Sequence, residues 1–219
     1  MRNTGLMQWA GATLAACLAG GIAHAAPVVV KSSPVDAALL ASLGITPTGT
    51  LAHARQVQDA GGRHVLVLTR TEGPSREMPD PNRKERIDLQ ATYYDESPTG
   101  WKQAWTIKEV VDCPGLDLAG KFLSKGVTVT DLDRNGVAEV TVPYMTFCGG
   151  GVDPGVLKVI LRQGETKFAL RGETELRLKG MAPAGGQYKP DKDLLLPANA
   201  VFKQHLEKVW QQVKVVDME

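Results

Sequence analysis

Gly126–Tyr144 reads GVTVTDLDRNGVAEVTVPY. Two short runs of alternating apolar residues flank a loop that carries Asp131, Asp133, Asn135 and Glu139, and the alternation predicts a strand on either side. Oxygen-bearing side chains at every second position, followed by Gly136 where the backbone must bend, suit a hard divalent cation, Ca²⁺ above all. Asp131, Asp133, Asn135 and Glu139 are the candidate side-chain ligands, the backbone carbonyl of Val137 is a candidate fifth, and water completes the shell. The competing reading is a plain hairpin in which Asp, Asn and Gly supply only turn chemistry. Such a turn does not require three acids.

Counted from Asp131, the twelfth position is Val142, where a helix-loop-helix calcium hand places a bidentate Glu. The last acid is instead Glu139, with Val, Thr and Tyr on both sides. In this the loop resembles the calcium turns of FG-GAP and VCBS repeats, which are strand-loop-strand units of propeller blades. The resemblance covers about a dozen residues and implies a structural Ca²⁺ within a β fold.

Toward the N-terminus, Arg2, the apolar stretch from Leu6 to Ile22 and Ala23-His24-Ala25 before Ala26 have the form of an export signal with a small-x-small cleavage site. Residues 1–25 are therefore expected to leave the mature chain, which would be periplasmic or secreted and would carry no transmembrane span. Leu14-Ala15-Ala16-Cys17 also fits a bacterial lipobox, so anchoring through a lipid on Cys17 is the alternative. An uncleaved anchor is the poorest fit, since Gln8, Thr13 and several glycines interrupt a short span. With Cys17 removed, Cys113 and Cys148 remain as an even pair in an oxidising compartment. A bridge between them would enclose the whole acidic turn and stabilise the fold by on the order of 3 to 4 kcal/mol.

The chain has 219 residues, 25 basic against 24 acidic side chains and a formal net charge of +1. A balance this close to neutral gives no electrostatic case for nucleic acid or an anionic membrane as partner. Ser33-Pro34-Val35-Asp36 before Ala37, Leu40 and Leu43 predicts a short helix with Ser33 as N-cap and Pro34 at its first position, stopped by Gly44. Leu51–Gln58 and Arg63–Arg70 predict a hairpin around Asp59-Ala60-Gly61-Gly62, and Ile87–Tyr94 with Trp101–Val111 predicts a second. Gly73–Glu85 and Met181–Pro197 read as surface loops.

Beyond Cys113 the plan repeats: Val127–Thr130 with Val137–Tyr144, then Leu157–Arg162 with Lys167–Arg171. The expected fold is mainly β, an antiparallel meander or sandwich of two blade-like four-stranded units at about 51–111 and 127–172, in one domain over 26–219. A short N-terminal helix precedes it. Val201, Phe202, Leu206, Val209, Trp210 and Val213 predict an amphipathic C-terminal helix at about 198–214.

The stretch from Asp112-Cys113-Pro114 through the acidic turn, Cys148 and Asp153-Pro154 to Lys167–Gly172 is similar to an uncharacterised family of exported bacterial proteins, some of which carry the label of surface polysaccharide biosynthesis proteins. The resemblance spans about sixty residues and implies location and architecture; the label implies no reaction. This chain departs from it in Gly149-Gly150-Gly151.

Neither a G-x-S-x-G elbow nor an H-E-x-x-H helix occurs, and His53, His64 and His205 have no ligand-like spacing. Trp101 and Trp105, four apart on a strand opposite Tyr93, form a candidate face for stacking on sugar rings; burial in the core is the competing reading. The functional expectation is a calcium-stabilised binding or structural component of the cell envelope, with an envelope glycan or protein as partner. An enzyme or accessory factor of envelope polysaccharide metabolism is the alternative.

Overall fold

The computed structural model describes Met1 and residues 29–215. The export signal and the lipobox at Cys17 lie outside the described residues. Six elements build the first half: β1 (Lys31–Pro34), α1 (Ala37–Ser42), β2 (Thr50–Asp59), β3 (Gly62–Gly73), β4 (Arg86–Ser97) and β5 (Gly100–Asp112). The five strands form an antiparallel sheet in sequence order. Both predicted hairpins are present, and both are longer than the apolar alternation alone indicates. Asp95, Glu96 and Ser97 pair with Lys102, Trp101 and Gly100, which carries the second hairpin up to a turn at Pro98-Thr99.

The helix start differs from expectation. Ser33 and Pro34 belong to β1, the outermost strand, where a residue without an N–H is tolerated. Asp36 is the N-cap, its carboxylate accepting from Leu39 N–H at 2.8 Å. Gly44 ends the helix at φ +73°.

The second half contains β6 (Asp117–Phe122), β7 (Thr128–Thr130), β8 (Glu139–Gly149), β9 (Val156–Gln163), β10 (Thr166–Glu173), β11 (Glu175–Leu176), β12 (Ala184–Gly185), β13 (Tyr188–Pro190) and α2 (Ala200–Val213). Its main sheet runs β13-β10-β9-β8-β6, and β7 shares the β6 side of β8. The two sheets thus hold five and six strands where four each were expected. β6 escapes the apolar pattern because DLAGKF is an edge strand with few buried positions. Its Gly120 lies where the two sheets meet at close range: a Cβ there would meet Ile87 Cγ2 at 2.9 Å.

Four layers result, α1, first sheet, second sheet and α2. The central layer between the sheets packs Leu66, Leu68, Ile87 and Leu89 against Val140, Val142, Tyr144 and Ile160. On the far side of the second sheet, Leu157, Val159, Leu161 and Phe168 meet Phe202, Leu206 and Trp210 of α2. On the far side of the first, Val65 and Val67 meet Leu40 of α1. Strands buried on both faces explain the continuous apolar runs at 65–68 and 159–161. Cys113, just past β5, is bonded to Cys148 of β8, with the Cα atoms 5.7 Å apart. The bridge joins the two sheets and encloses the acidic loop.

Candidate functional site

The acidic loop connects β7 to β8. Arg134 (φ 59°) and Gly136 (φ 80°) take left-handed conformations that turn it back on itself. Asp131, Asp133 and Glu139 each place a carboxylate oxygen within 4.8 Å of the others. Oxygens about 2.4 Å from one calcium ion lie at most about 5 Å apart, so this spread suits a single ion.

Glu139 is fully buried, Asp131 half-buried and Asp133 exposed. Among the described residues none of the three is ion-paired with Lys or Arg. Glu139 Oε2 accepts from Leu132 N–H at 2.8 Å and from Thr130 Oγ1 at 2.9 Å, and Oε1 accepts from Gln163 Nε2 at 3.0 Å. Burial pushes the Glu139 carboxyl above its usual range; the Leu132 and Thr130 hydrogen bonds oppose this, and the charges of Asp133 and Asp131 add to it. Asn135 is turned differently from the expected ligand: its Oδ1 accepts from Val137 N–H at 2.7 Å and its Nδ2 donates to Asp133 Oδ2 at 2.9 Å. It closes the bend, whereas the three acids converge.

The first sheet holds this loop from across the interface. Asp59 Oδ2 accepts from Ala138 N–H at 2.8 Å, and Ala60 N–H donates to the Gly136 carbonyl at 2.8 Å. Both backbone groups flanking Val137 are therefore clamped. Asp59 Oδ1 accepts from Gly61 N–H at 2.6 Å and lies 2.9 Å from His64 Nε2, while His64 Nδ1 lies 2.7 Å from Asp95 Oδ1. Both ring nitrogens of His64 thus face carboxylate oxygens, which only accept. Burial opposes ionisation of Asp59, but the Ala138, His64 and Gly61 hydrogen bonds outweigh it and hold the carboxyl below its usual value.

Neither Asp59 nor Gln163 stands out in the sequence, where both read as turn residues. Their distance along the chain from the loop hides the contact. His205, read as a polar residue on the flank of α2, has its Nε2 at 3.0 Å from Thr128 Oγ1 and 3.1 Å from Thr141 Oγ1, fastening the helix to the strands that carry the loop.

The aromatic residues do not form one face. Trp105 and Tyr93 are buried in the central layer and stack at 4.9 Å, with the Arg162 guanidinium 5.4 Å from the Trp105 ring centre. Trp101 packs on the opposite side of the sheet with Tyr94, toward α1. The cause is a bulge: Tyr93 pairs with Trp105 but Tyr94 with Gln103, so Ala104 is an extra residue that reverses the alternation. Tyr93 and Trp105 do border a cleft of about 140 Å³ beside the acidic loop, shared with His64, Val137 and Arg162. Comparison with known proteins finds no matching family model, no matching curated protein and no matching solved structure.

Proposed function

We propose that this chain is an exported β domain whose acidic loop holds a structural Ca²⁺, and that it serves as a binding or structural component of the bacterial cell envelope. The observation that carries the ion is the convergence of Asp131, Asp133 and the fully buried Glu139 within 4.8 Å, with no basic side chain paired to them among the described residues. Three carboxylates in this position repel one another unless a cation neutralises them. Asp131, Asp133 and Glu139 would bind directly. The Val137 carbonyl is the remaining protein ligand, with Asn135 and the Asp59 clamp fixing the bend.

Export is supported by the leader-like stretch before Ala26 and by the Cys113–Cys148 bond, a feature of oxidising compartments. The envelope role is supported by the resemblance to exported bacterial proteins, and an envelope glycan or protein is the partner class it favours. No helix among the described residues is long and apolar enough to cross a membrane.

Calcium titration of the chelated protein tests the ion. Thermal unfolding should shift upward with Ca²⁺ in the native sequence and stay fixed in Asp131→Ala and Asp133→Ala. A native melting curve indifferent to Ca²⁺ and chelator would refute the assignment. Fractionation of cells expressing the native chain and Cys17→Ser separates the two modes of export, because only lipid anchoring depends on that cysteine.

A further inference from the structure

The outer face of the first sheet is only half covered. Toward the β2–β3 and β4–β5 turns, Val65, Val67, Tyr94 and Trp101 lie against the α1 layer. Farther along the same strands the outward positions become polar. Thr69, Gln90 and Lys108 stand in one row across β3, β4 and β5, and Thr71, Asp88 and Val110 in the next. Neighbouring strands are about 4.8 Å apart, so each row spans about 10 Å. Together they border an open trough of about 320 Å³, to which Arg86 and Arg76 also contribute. Arg76 comes from the segment between β3 and β4 and is anchored by its backbone N–H to Asp112 Oδ2 at 2.8 Å.

The charge of the trough is uneven. Asp88 is its one acid and is paired with Arg86. Arg76 and Lys108 are exposed and form no ion pair among the described residues. Three cations, Arg76, Arg86 and Lys108, stand against two acids, Asp88 and the neighbouring Asp112, which lies close to both arginines, so on a chain whose total charge is close to neutral the concavity carries a local positive excess. The face also has hydrogen-bonding capacity that the fold does not use. Of the seven buried side-chain polar atoms without a partner among the described residues, four lie on these strands, namely Arg86 Nε, Asp88 Oδ1, Thr106 Oγ1 and Asp112 Oδ1. Such atoms are rarely left without partners in proteins.

We propose that this trough binds an acidic saccharide, a sugar bearing a carboxylate or a phosphate. Arg76 and Lys108 take the anionic group. The rows of hydroxyl, amide and carboxylate side chains at strand spacing face the ring hydroxyls, and the half-exposed Val110 offers an apolar contact to the ring C–H groups. The site is independent of the cation, because no trough residue belongs to the acidic loop.

The test uses the full chain under chelation, so that its outcome and that of the calcium titration are read separately. Glucuronate and glucose 6-phosphate are titrated by NMR, with glucose and inorganic phosphate alongside. The two acidic sugars should saturate and should weaken as salt is raised. Lys108→Glu and Arg76→Glu should each weaken binding about tenfold or more, while Lys125→Glu, exposed in the turn between β6 and β7, leaves it unchanged. Far-UV circular dichroism and melting curves establish that the variants fold. Four results would overturn the proposal: no saturation by about 10 mM, glucose binding as well as the acidic sugars, inorganic phosphate binding as well as the phosphosugar, or charge reversal without effect.

Discussion

The Asp59 carboxylate accepts a hydrogen bond from the backbone N–H of Ala138 at 2.8 Å, across 79 positions of sequence and from one sheet to the other. The same carboxylate meets His64, so a single buried acid fixes the mouth of the first hairpin and one wall of the acidic loop. Asp59→Ala leaves the Ala138 donor without its partner and takes from His64 one of the two carboxylates it contacts. It should lower stability by about 3 kcal/mol in urea unfolding and weaken Ca²⁺ binding in isothermal titration. Asp59→Asn, which retains an acceptor for Ala138, should lose less of both.

The buried Glu139 carboxyl sets a pH dependence for the calcium-free protein. Glu139 is held above its ordinary 4.5, so as pH rises through that value the unfolded chain gives up this proton before the folded one does. The contribution to stability therefore falls between 4.5 and the folded value. Saturating Ca²⁺ should reverse it, because the ion favours the carboxylate. Glu139→Gln should remove this part of the pH dependence in chelator together with the calcium response, as read from melting curves over that range.

At α2 the sign is opposite in origin. Burial, with a smaller contribution from the charge of Lys208, holds His205 below its ordinary 6.5. As pH falls below 6.5 the unfolded chain takes up a proton that the folded chain resists, so stability is lost on acidification. His205→Gln should flatten that limb of the curve while keeping a polar group opposite Thr128 and Thr141. Denaturant unfolding at pH 5 and pH 8 measures the difference.

Reduction of the Cys113–Cys148 bond should cost on the order of 3 to 4 kcal/mol, the loop-closure value for a separation of 35 residues. Cys113→Ser with Cys148→Ser should reproduce that loss in the absence of reductant. A paired variant as stable as the native protein would show that the sheets hold together without the bridge.

The β2–β3 and β4–β5 hairpins are legible because apolar runs of strand length flank turns rich in Asp and Gly, and the three acids of the loop are legible because all lie within one turn of chain. β6 is not, since an edge strand needs few apolar residues and Gly120 carries a backbone approach rather than a side chain. Ser33-Pro34 satisfies the same local capping rule as Asp36, three residues on, and only pairing with β2 decides between them. Asp59 and Gln163 complete the loop through contacts that no local pattern encodes. Even spacing puts two tryptophans on one side only on an unbroken strand, and β5 is broken at Ala104.

That break gives Ala104 a significance out of proportion to its size. Were this one residue drawn into regular pairing opposite Tyr94, the tip of β5 would turn over onto its other face. Trp101 would swing into the middle of the sandwich, and the charged end of Lys102 would be driven under α1, so the protein should lose that helix's packing while the rest of the four layers stays in register.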